Sequence, residues 1–236
     1  MTRMRAVLLD FYGTLGESEW SDWWMDTVLA EYGHRLDPET AARWSANAWD
    51  GEEHHEHSTS AEAYEAWERQ RWHAMLAEHG IEGEGVEDLL DRLTARRREF
   101  RMELYPEAME VLAELRDRGL RLAVCSNWDW DLDYHLEYTG VADAVDVRVS
   151  SAWVGARKPH PRIFESTLAE LGVDADDALF VGDNWEADVE GPLAAGLRAV
   201  HVWRHDTHPG DWLPRPPDPP PGVARIDDLQ ALPDLL

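Results

Sequence analysis

Strand-like and helix-like blocks alternate through the second half of the chain, and few folds are compatible with this pattern. Short apolar runs typical of buried strands occupy residues 5–10, 120–125, 146–150, 178–182, 198–203 and 223–226. Helical patterns at 106–118, 161–171 and 186–195 separate some of these runs, and each is followed by a glycine at which a helix can end. This order is typical of parallel strands joined by crossover helices. We therefore expect an α/β fold built on a Rossmann-like, doubly wound parallel sheet.

Residues 16–104 interrupt this alternation with helical patterns. Trp20, Trp23 and Trp24 follow the spacing of one helix face, and the Asp37-Pro38 and Thr59-x-x-Glu62 sequences are typical of helix starts. We expect this segment to be wholly helical and to stand above the sheet as a cap domain. The core domain would then consist of residues 1–15 and 105–236.

The charge balance argues against two classes of partner. The chain has 48 acidic and 22 basic side chains, a formal net charge of -26. Because an acidic surface repels nucleic acid and anionic lipid, we expect neither as a partner. No apolar run approaches the roughly 20 residues needed to span a bilayer, so we expect no membrane insertion. The oligomeric state stays open between monomer and homodimer.

Cysteine use and the N-terminal sequence favour the cytoplasm. Cys125 is the single cysteine, so it has no partner for an internal disulfide, and its apolar neighbours favour a small buried strand residue over a nucleophile. The first residues lead directly into a strand-like run, without the pattern of a signal peptide. We therefore expect a cytoplasmic protein.

Polar residues follow several of the predicted strands. Asp10 ends the first run, Ser126-Asn127 follows the second, and Gly182-Asp183-Asn184 follows the fourth, with Asp188 close behind. Ligands of open parallel sheets bind outside the carboxyl ends of the strands, so these residues are candidates for one site. Lys158 is a further candidate, because the other basic side chains are all arginines and the two residue types are not interchangeable.

Four segments carry a family resemblance. In chain order, DFYGTL, CSN, KP and GDNWEAD resemble the motifs of the haloacid dehalogenase superfamily, in the branch that inserts a helical cap just after the first motif. The resemblance extends over nearly the whole chain. Each motif alone is a weak signal, but four in order with a helical insertion in the expected gap form a strong one.

The resemblance implies a nucleophile and a metal site. Asp10 would attack the substrate and form a covalent aspartyl intermediate. Asp10, Asp183 and the main-chain carbonyl of Tyr12 would hold Mg²⁺, an ion that prefers oxygen ligands, and Asp188 would support that site.

It also implies groups that bind a phosphoryl group. Thr14, Ser126 and the Asn127 amide would donate hydrogen bonds to its oxygens, and Lys158 would neutralise charge between the nucleophile and the phosphate. The expected function is a phosphatase-type hydrolase acting on a small phosphorylated molecule.

Tyr12 is where this sequence departs from the pattern. Phosphatases of the superfamily carry an acid–base aspartate there, whereas a tyrosine, with a reference pKa of about 10, is a usable acid and a poor base. The 2-haloacid dehalogenases of the family do carry tyrosine, so a metal-free dehalogenase using Asp10 is the main alternative. A catalytically impaired binding protein of the same fold is another. Glu17 or Glu19 could replace the missing aspartate.

Two further groups of residues have alternative interpretations. His54, His55 and His57 could bind a transition metal, but they lack a fixed spacing on one element, so we favour a solvated loop. The tryptophans at positions 20, 23 and 24 are expected to pack in the helical domain, and some of them could line a substrate pocket.

Overall fold

A computed structural model describes residues 4–19, 24–37, 40, 51–204 and 216–236. Within these ranges, six strands form a parallel sheet in the order β5-β4-β1-β6-β7-β8, and β2 pairs with β3 in a separate ribbon. The strands are β1 (Ala6–Leu9), β2 (Gly16–Ser18), β3 (Met102–Leu104), β4 (Arg121–Ser126), β5 (Val147–Ser150), β6 (Ala178–Gly182), β7 (Arg198–Val202) and β8 (Ala224–Ile226). The α-helices are α1 (Trp24–Glu31), α2 (Ala61–Glu78), α3 (Val86–Arg98), α4 (Ala108–Asp117), α5 (Leu132–Thr139), α6 (Ser151–Val154), α7 (Pro161–Leu171) and α8 (Gly191–Ala194).

Apolar side chains cover both faces of the main sheet. Along β1, Val7 and Leu9 join one buried cluster with residues of α4 and α5, while Ala6 and Leu8 join another with residues of α7. This alternation follows from the two-residue period of a strand. A parallel sheet covered by helices on both faces is doubly wound, which confirms the predicted fold class.

The ribbon of β2 and β3 corrects one prediction. Residues 16–104 were expected to be wholly helical, but both ends of this segment are strands, with Gly16 opposite Leu104 and Ser18 opposite Met102. The chain leaves the core and returns to it at neighbouring points, and antiparallel pairing satisfies the backbone groups of both crossings. Strands of three residues are too short for their alternation to be recognised in the sequence.

The helices between β2 and β3 have a hydrophobic cluster of their own. Residues of α1, α2 and α3 form it, including Leu29, Leu76 and Leu93. Helix α2 begins one residue later than the Thr59 box predicts, because the hydroxyl of Ser60 accepts the hydrogen bond from the backbone N–H of Ala63. Trp20 and Trp23 lie outside the described residues, as does the side chain of Trp24. No helix in the described ranges has the length and apolar character needed to cross a membrane.

The helix predicted at 186–195 is divided into two parts. Residues Trp185–Glu190 form a π-helical turn and Gly191–Ala194 an α-helical one. Pro192 explains part of this irregularity, because it has no N–H to donate to the carbonyl of Asp188.

Candidate active site

The main sheet brings the predicted residues to one edge. Strand β1 lies between β4 and β6, and all three run parallel. Asp10 follows β1, Ser126 ends β4 and Asp183 follows β6, so their positions meet at the carboxyl ends of adjacent strands. The site is therefore placed where ligands of such sheets bind.

Three carboxylates and one ammonium group form the centre of this site. Oxygens of Asp10, Asp183 and Asp188 lie within 4.8 Å of one another, an arrangement that could hold a metal ion. Lys158 Nζ lies 2.9 Å from Asp10 Oδ1 and 2.6 Å from Asp188 Oδ1. The Lys158 side chain is 1% exposed and that of Asp188 is fully buried, so these pairs are shielded from solvent.

The electrostatics favour a cation at this point. Burial and the neighbouring charges of Asp188 and Asp10 raise the pKa of Asp183 well above its usual value. Burial also raises the pKa of Asp188 to about 7, although Lys158 opposes this shift. Burial alone would lower the pKa of Lys158, but Asp10 and Asp188 raise it above its ordinary value. A bound cation would stabilise the ionised carboxylates that crowding disfavours.

Two glycines allow the carboxylates to approach the backbone. Gly13 has a φ of +75°, and a Cβ on it would lie 2.3 Å from Asp183 Oδ2. A Cβ on Gly182 would lie 2.3 Å from Asp188 Oδ2. Any larger residue at either position would displace a carboxylate of the site.

The predicted phosphate-binding residues surround the carboxylates. Thr14 is fully buried, and its hydroxyl donates to Asp183 Oδ1 over 3.4 Å. Ser126 is 1% exposed at the end of β4. The Asn127 side chain binds the backbone of Lys158, accepting from its N–H at 2.7 Å and donating to its carbonyl at 3.0 Å. Asn127 therefore joins the loop after β4 to the loop that carries Lys158.

Tyr12 and Glu17 belong to the chain that follows Asp10: Tyr12 forms a β-bridge with Gly16, and Glu17 is the next residue on β2. Partial burial, together with the negative charges of Asp183 and Glu17, raises the pKa of Tyr12 above its usual value. Glu17 is partly buried on β2 and accepts a hydrogen bond from the Tyr105 hydroxyl, with 3.4 Å between the oxygens. Glu19, the other acidic candidate, is exposed.

In the described part of the chain, His54, His55 and His57 do not form a metal site. The group of three or more side chains there that could hold a metal ion consists of Asp10, Asp183 and Asp188. The prediction of a solvated loop is wrong for His54, which is 2% exposed and stacks on Trp67 with 4.6 Å between ring centroids.

Sequence reasoning missed a histidine that supports the site. His201 on β7 is fully buried, and burial lowers its pKa to about 4. The Arg225 Nε–H donates to His201 Nδ1 over 2.9 Å, so the proton of the neutral ring is on Nε2. That nitrogen lies 2.9 Å from the main-chain oxygen of Asp183 and donates to it. No sequence motif marks His201 or Arg225.

A buried ion pair was also missed. Arg204 donates to Glu107 Oε1 over 2.6 Å and to the carbonyl of Thr14 over 3.1 Å, and its guanidinium carbon lies 3.6 Å from the ring centroid of Tyr105. Glu107 also accepts from the backbone N–H of Leu229. The pair thus supports the loop that follows the nucleophile.

Removing one partner of this pair should destabilise the fold. We expect Glu107→Leu to lower the free energy of unfolding by about 3–5 kcal/mol, because it leaves the buried Arg204 without its carboxylate. The double variant Glu107→Leu/Arg204→Met should lose clearly less than the sum of the single variants, because neither charge then remains buried. Urea denaturation of the wild type and the three variants measures this coupling. Additive losses would contradict the assignment of a coupled pair.

Comparisons with known proteins show the family to which this chain belongs. Residues 4–196 match the sequence profile of haloacid dehalogenase-like hydrolases. A phosphoserine phosphatase from Thermus thermophilus is 38% identical over 174 residues, which cover 72% of this chain and 66% of that enzyme. Matches to two further curated relatives span 42% and 38% of their lengths.

Solved structures share the fold. The structure of a HAD phosphatase from Thermococcus onnurineus is 25% identical, with a TM-score of 0.61, over 98% of this chain and 97% of that one. A dehalogenase structure is 21% identical, with a TM-score of 0.59, over 99% of this chain and 97% of that one. The profile match extends from the strand before Asp10 to the residues after Asp188 and thus includes all four predicted motifs. The chain belongs to the haloacid dehalogenase-like hydrolases and is an enzyme of that family.

Proposed function

We propose that this enzyme is a Mg²⁺-dependent phosphohydrolase that acts on a small organic phosphate through an aspartyl-phosphate on Asp10. The observation that carries this proposal is the group of Asp10, Asp183, Asp188 and Lys158, in which all but the partly buried Asp183 are buried. When all four groups are ionised, their charges sum to two net negative charges, which a divalent cation would neutralise. Displacement of halide from carbon has no evident use for such a cation.

The residues fit the metal by their donor chemistry. Carboxylate oxygens are the ligands that Mg²⁺ prefers, and Asp10 and Asp183 would hold it together with the main-chain carbonyl of Tyr12, supported by Asp188. When bound, Mg²⁺ would supply positive charge beside the phosphoryl oxygens.

The chain's own residues would carry the reaction. An Asp10 oxygen attacks phosphorus, and the bond from phosphorus to the leaving oxygen breaks with its electron pair going to that oxygen. Hydrolysis of the aspartyl-phosphate then returns the carboxylate and releases phosphate. Lys158, beside Asp10, would neutralise charge on the phosphoryl group, while Thr14, Ser126 and the Asn127 amide would donate to its oxygens.

We further propose the domain division expected above, with 16–104 as the cap and 1–15 with 105–236 as the core. The separate hydrophobic cluster of α1, α2 and α3 supports this division, as does the ribbon through which the segment joins the core. The proposed location is the cytoplasm, in agreement with a single, unpaired and buried Cys125.

Metal removal provides the test. EDTA should abolish phosphate release from a panel of small phosphate monoesters, and added Mg²⁺ should restore it. Asp183→Asn should raise the dissociation constant of Mg²⁺, measured by calorimetry. Loss of a residue that only orients a metal ligand weakens binding by about 10- to 100-fold, and the loss of Asp183 should exceed this. The exposed Asp176 gives a matched control, since Asp176→Asn should leave binding unchanged. Halide release from a 2-haloacid that is insensitive to EDTA would replace this proposal with the dehalogenase alternative.

A further inference from the structure

The proposed reaction needs two proton transfers, and Tyr12 is poorly suited to the second. An alcohol leaving group requires a proton as it departs, and the water that hydrolyses the aspartyl-phosphate must lose one. Tyrosine has a reference pKa of about 10, so the Tyr12 hydroxyl is a usable acid but a poor base for the attacking water near neutral pH. A group that exchanges its proton between the two steps must come from elsewhere in the site.

Glu17 has the position for this task. It lies on β2, immediately beyond the loop that carries Asp10 and Thr14, and it is partly buried. The Tyr105 hydroxyl, which donates to Glu17 Oε2, aims the carboxylate. Burial and Glu17 raise the pKa of Tyr105, so that hydroxyl remains a donor.

Tyr105 is itself held in place by buried groups. Arg204 stacks on its ring and binds both Glu107 and the carbonyl of Thr14. The carboxylate of Glu17 is thereby connected, through Tyr105 and Arg204, to the loop that follows the nucleophile. Tyr12 forms a β-bridge with Gly16, the residue before Glu17, and the Gly13 N–H donates to the Gly16 carbonyl over 2.8 Å. The strand that carries Glu17 is therefore hydrogen-bonded to the loop that follows the nucleophile.

We propose that Glu17 is the general acid and base of this enzyme and that Tyr105 is its positioning residue, an inference that rests on the proposed phosphohydrolase function. In the first step, an Asp10 oxygen bonds to phosphorus, the alkoxide leaves with the electron pair of the broken P–O bond, and it takes the proton of the Glu17 carboxylic acid. In the second step, the Glu17 carboxylate takes a proton from water as the water oxygen bonds to phosphorus. The P–O bond to Asp10 breaks, its electron pair returns to that carboxylate, and Glu17 is again protonated.

The test combines Glu17→Gln with two matched controls. The glutamine keeps an acceptor for the Tyr105 hydroxyl but cannot transfer the proton. Glu103 lies directly opposite Glu17 in the ribbon and Glu19 lies two residues further along, and both are exposed, so Glu103→Gln and Glu19→Gln remove similar charges. For the wild type, these three variants and Tyr105→Phe, kcat and KM are measured over alkyl and aryl phosphates of graded leaving-group pKa, and phosphorylated Asp10 is trapped by acid quench.

We expect a specific pattern for Glu17→Gln. Its kcat/KM for alkyl phosphates should fall by about 10²- to 10⁴-fold, because a poor leaving group then departs without a proton donor. For aryl phosphates with good leaving groups, kcat/KM should change only a few-fold, while phosphorylated Asp10 accumulates because its hydrolysis has lost the base. Both control variants should resemble the wild type, and Tyr105→Phe should lower kcat without a matching change in KM.

Other outcomes would overturn the proposal. A native profile for Glu17→Gln would do so, as would an equal loss over all leaving groups without accumulation of phosphorylated Asp10. A loss confined to Glu103→Gln or Glu19→Gln would assign the role to that residue. Failure of the phosphohydrolase function itself is distinguishable, because the wild type would then release no phosphate and form no phosphorylated Asp10.

Discussion

Asp10→Asn should abolish turnover, with kcat/KM lower by on the order of 10⁴- to 10⁶-fold, the scale of loss seen when a catalytic nucleophile is removed. An amide has no charged oxygen to attack phosphorus, so the covalent intermediate cannot form. The substitution preserves shape, and Lys158 retains its contact with Asp188. The measurements are phosphate release over a range of substrate concentrations and acid-quench trapping, in which the variant should yield no phosphorylated protein.

A stability measurement separates this effect from misfolding. A ligand that binds only the folded protein raises the melting temperature as its concentration exceeds its dissociation constant. The wild type should therefore gain stability with Mg²⁺, and Asp10→Asn should fold but gain less. Asp133→Asn, a change at an exposed surface ion pair with Arg148, serves as the control and should match the wild type in both assays. Substantial activity in Asp10→Asn would contradict the assignment of the nucleophile.

The predictable parts of the site are the residues that the local sequence pattern places at strand ends and that a parallel sheet brings to one edge. Asp10 and Asp183 each follow a short apolar strand, and Ser126 ends one. Parallel strands bring their carboxyl ends to one edge of the sheet, so this placement can be predicted before any side-chain contact is known. Lys158 was predicted as a site residue because it is the single lysine in a chain whose other basic side chains are all arginines. Its contacts with two carboxylates account for the preference, since a compact ammonium fits between them.

The supporting groups were not predictable, because their partners are distant along the chain. Glu107 and Arg204 are 97 residues apart, and His201 meets Arg225 and the Asp183 backbone only after β7 has joined the sheet. In the sequence each is an ordinary charged or polar residue. Burial and pairing in the fold give them their role, and neither property has a local signature.

The ends of the inserted segment illustrate the same limit. Its apolar periodicity predicts helices, and α1, α2 and α3 are present. Strands β2 and β3 were missed because each has three residues and is stabilised by the other, with Gly16 opposite Leu104. Gly16 allows this pairing, since a Cβ there would lie 2.4 Å from the carbonyl oxygen of Glu103. A pairing between such distant residues is visible only in the folded chain.

Lys158→Arg should lower kcat/KM by at least about 10²-fold, although it preserves the positive charge. The Nζ atom lies between Asp10 and Asp188 and 4.9 Å from the ring centroid of Phe180, in a pocket where the side chain is 1% exposed. A planar guanidinium is larger than an ammonium and would displace the Asp10 carboxylate. A displacement of about 1 Å in a catalytic site can cost about 10² in rate.

A second variant separates the contribution of charge from that of shape. Lys158→Met removes the charge and leaves two buried carboxylates without their counterion, so it should lose more activity than Lys158→Arg and also lower the melting temperature. The control is Arg148→Lys in the partly exposed pair with Asp133, which should change neither quantity, because pairs open to solvent contribute little. If Lys158→Arg retained near-native kcat/KM, charge alone would suffice at this position. The single lysine would then have no catalytic reason to be there, and the role assigned to its contact with Asp10 would have to be abandoned.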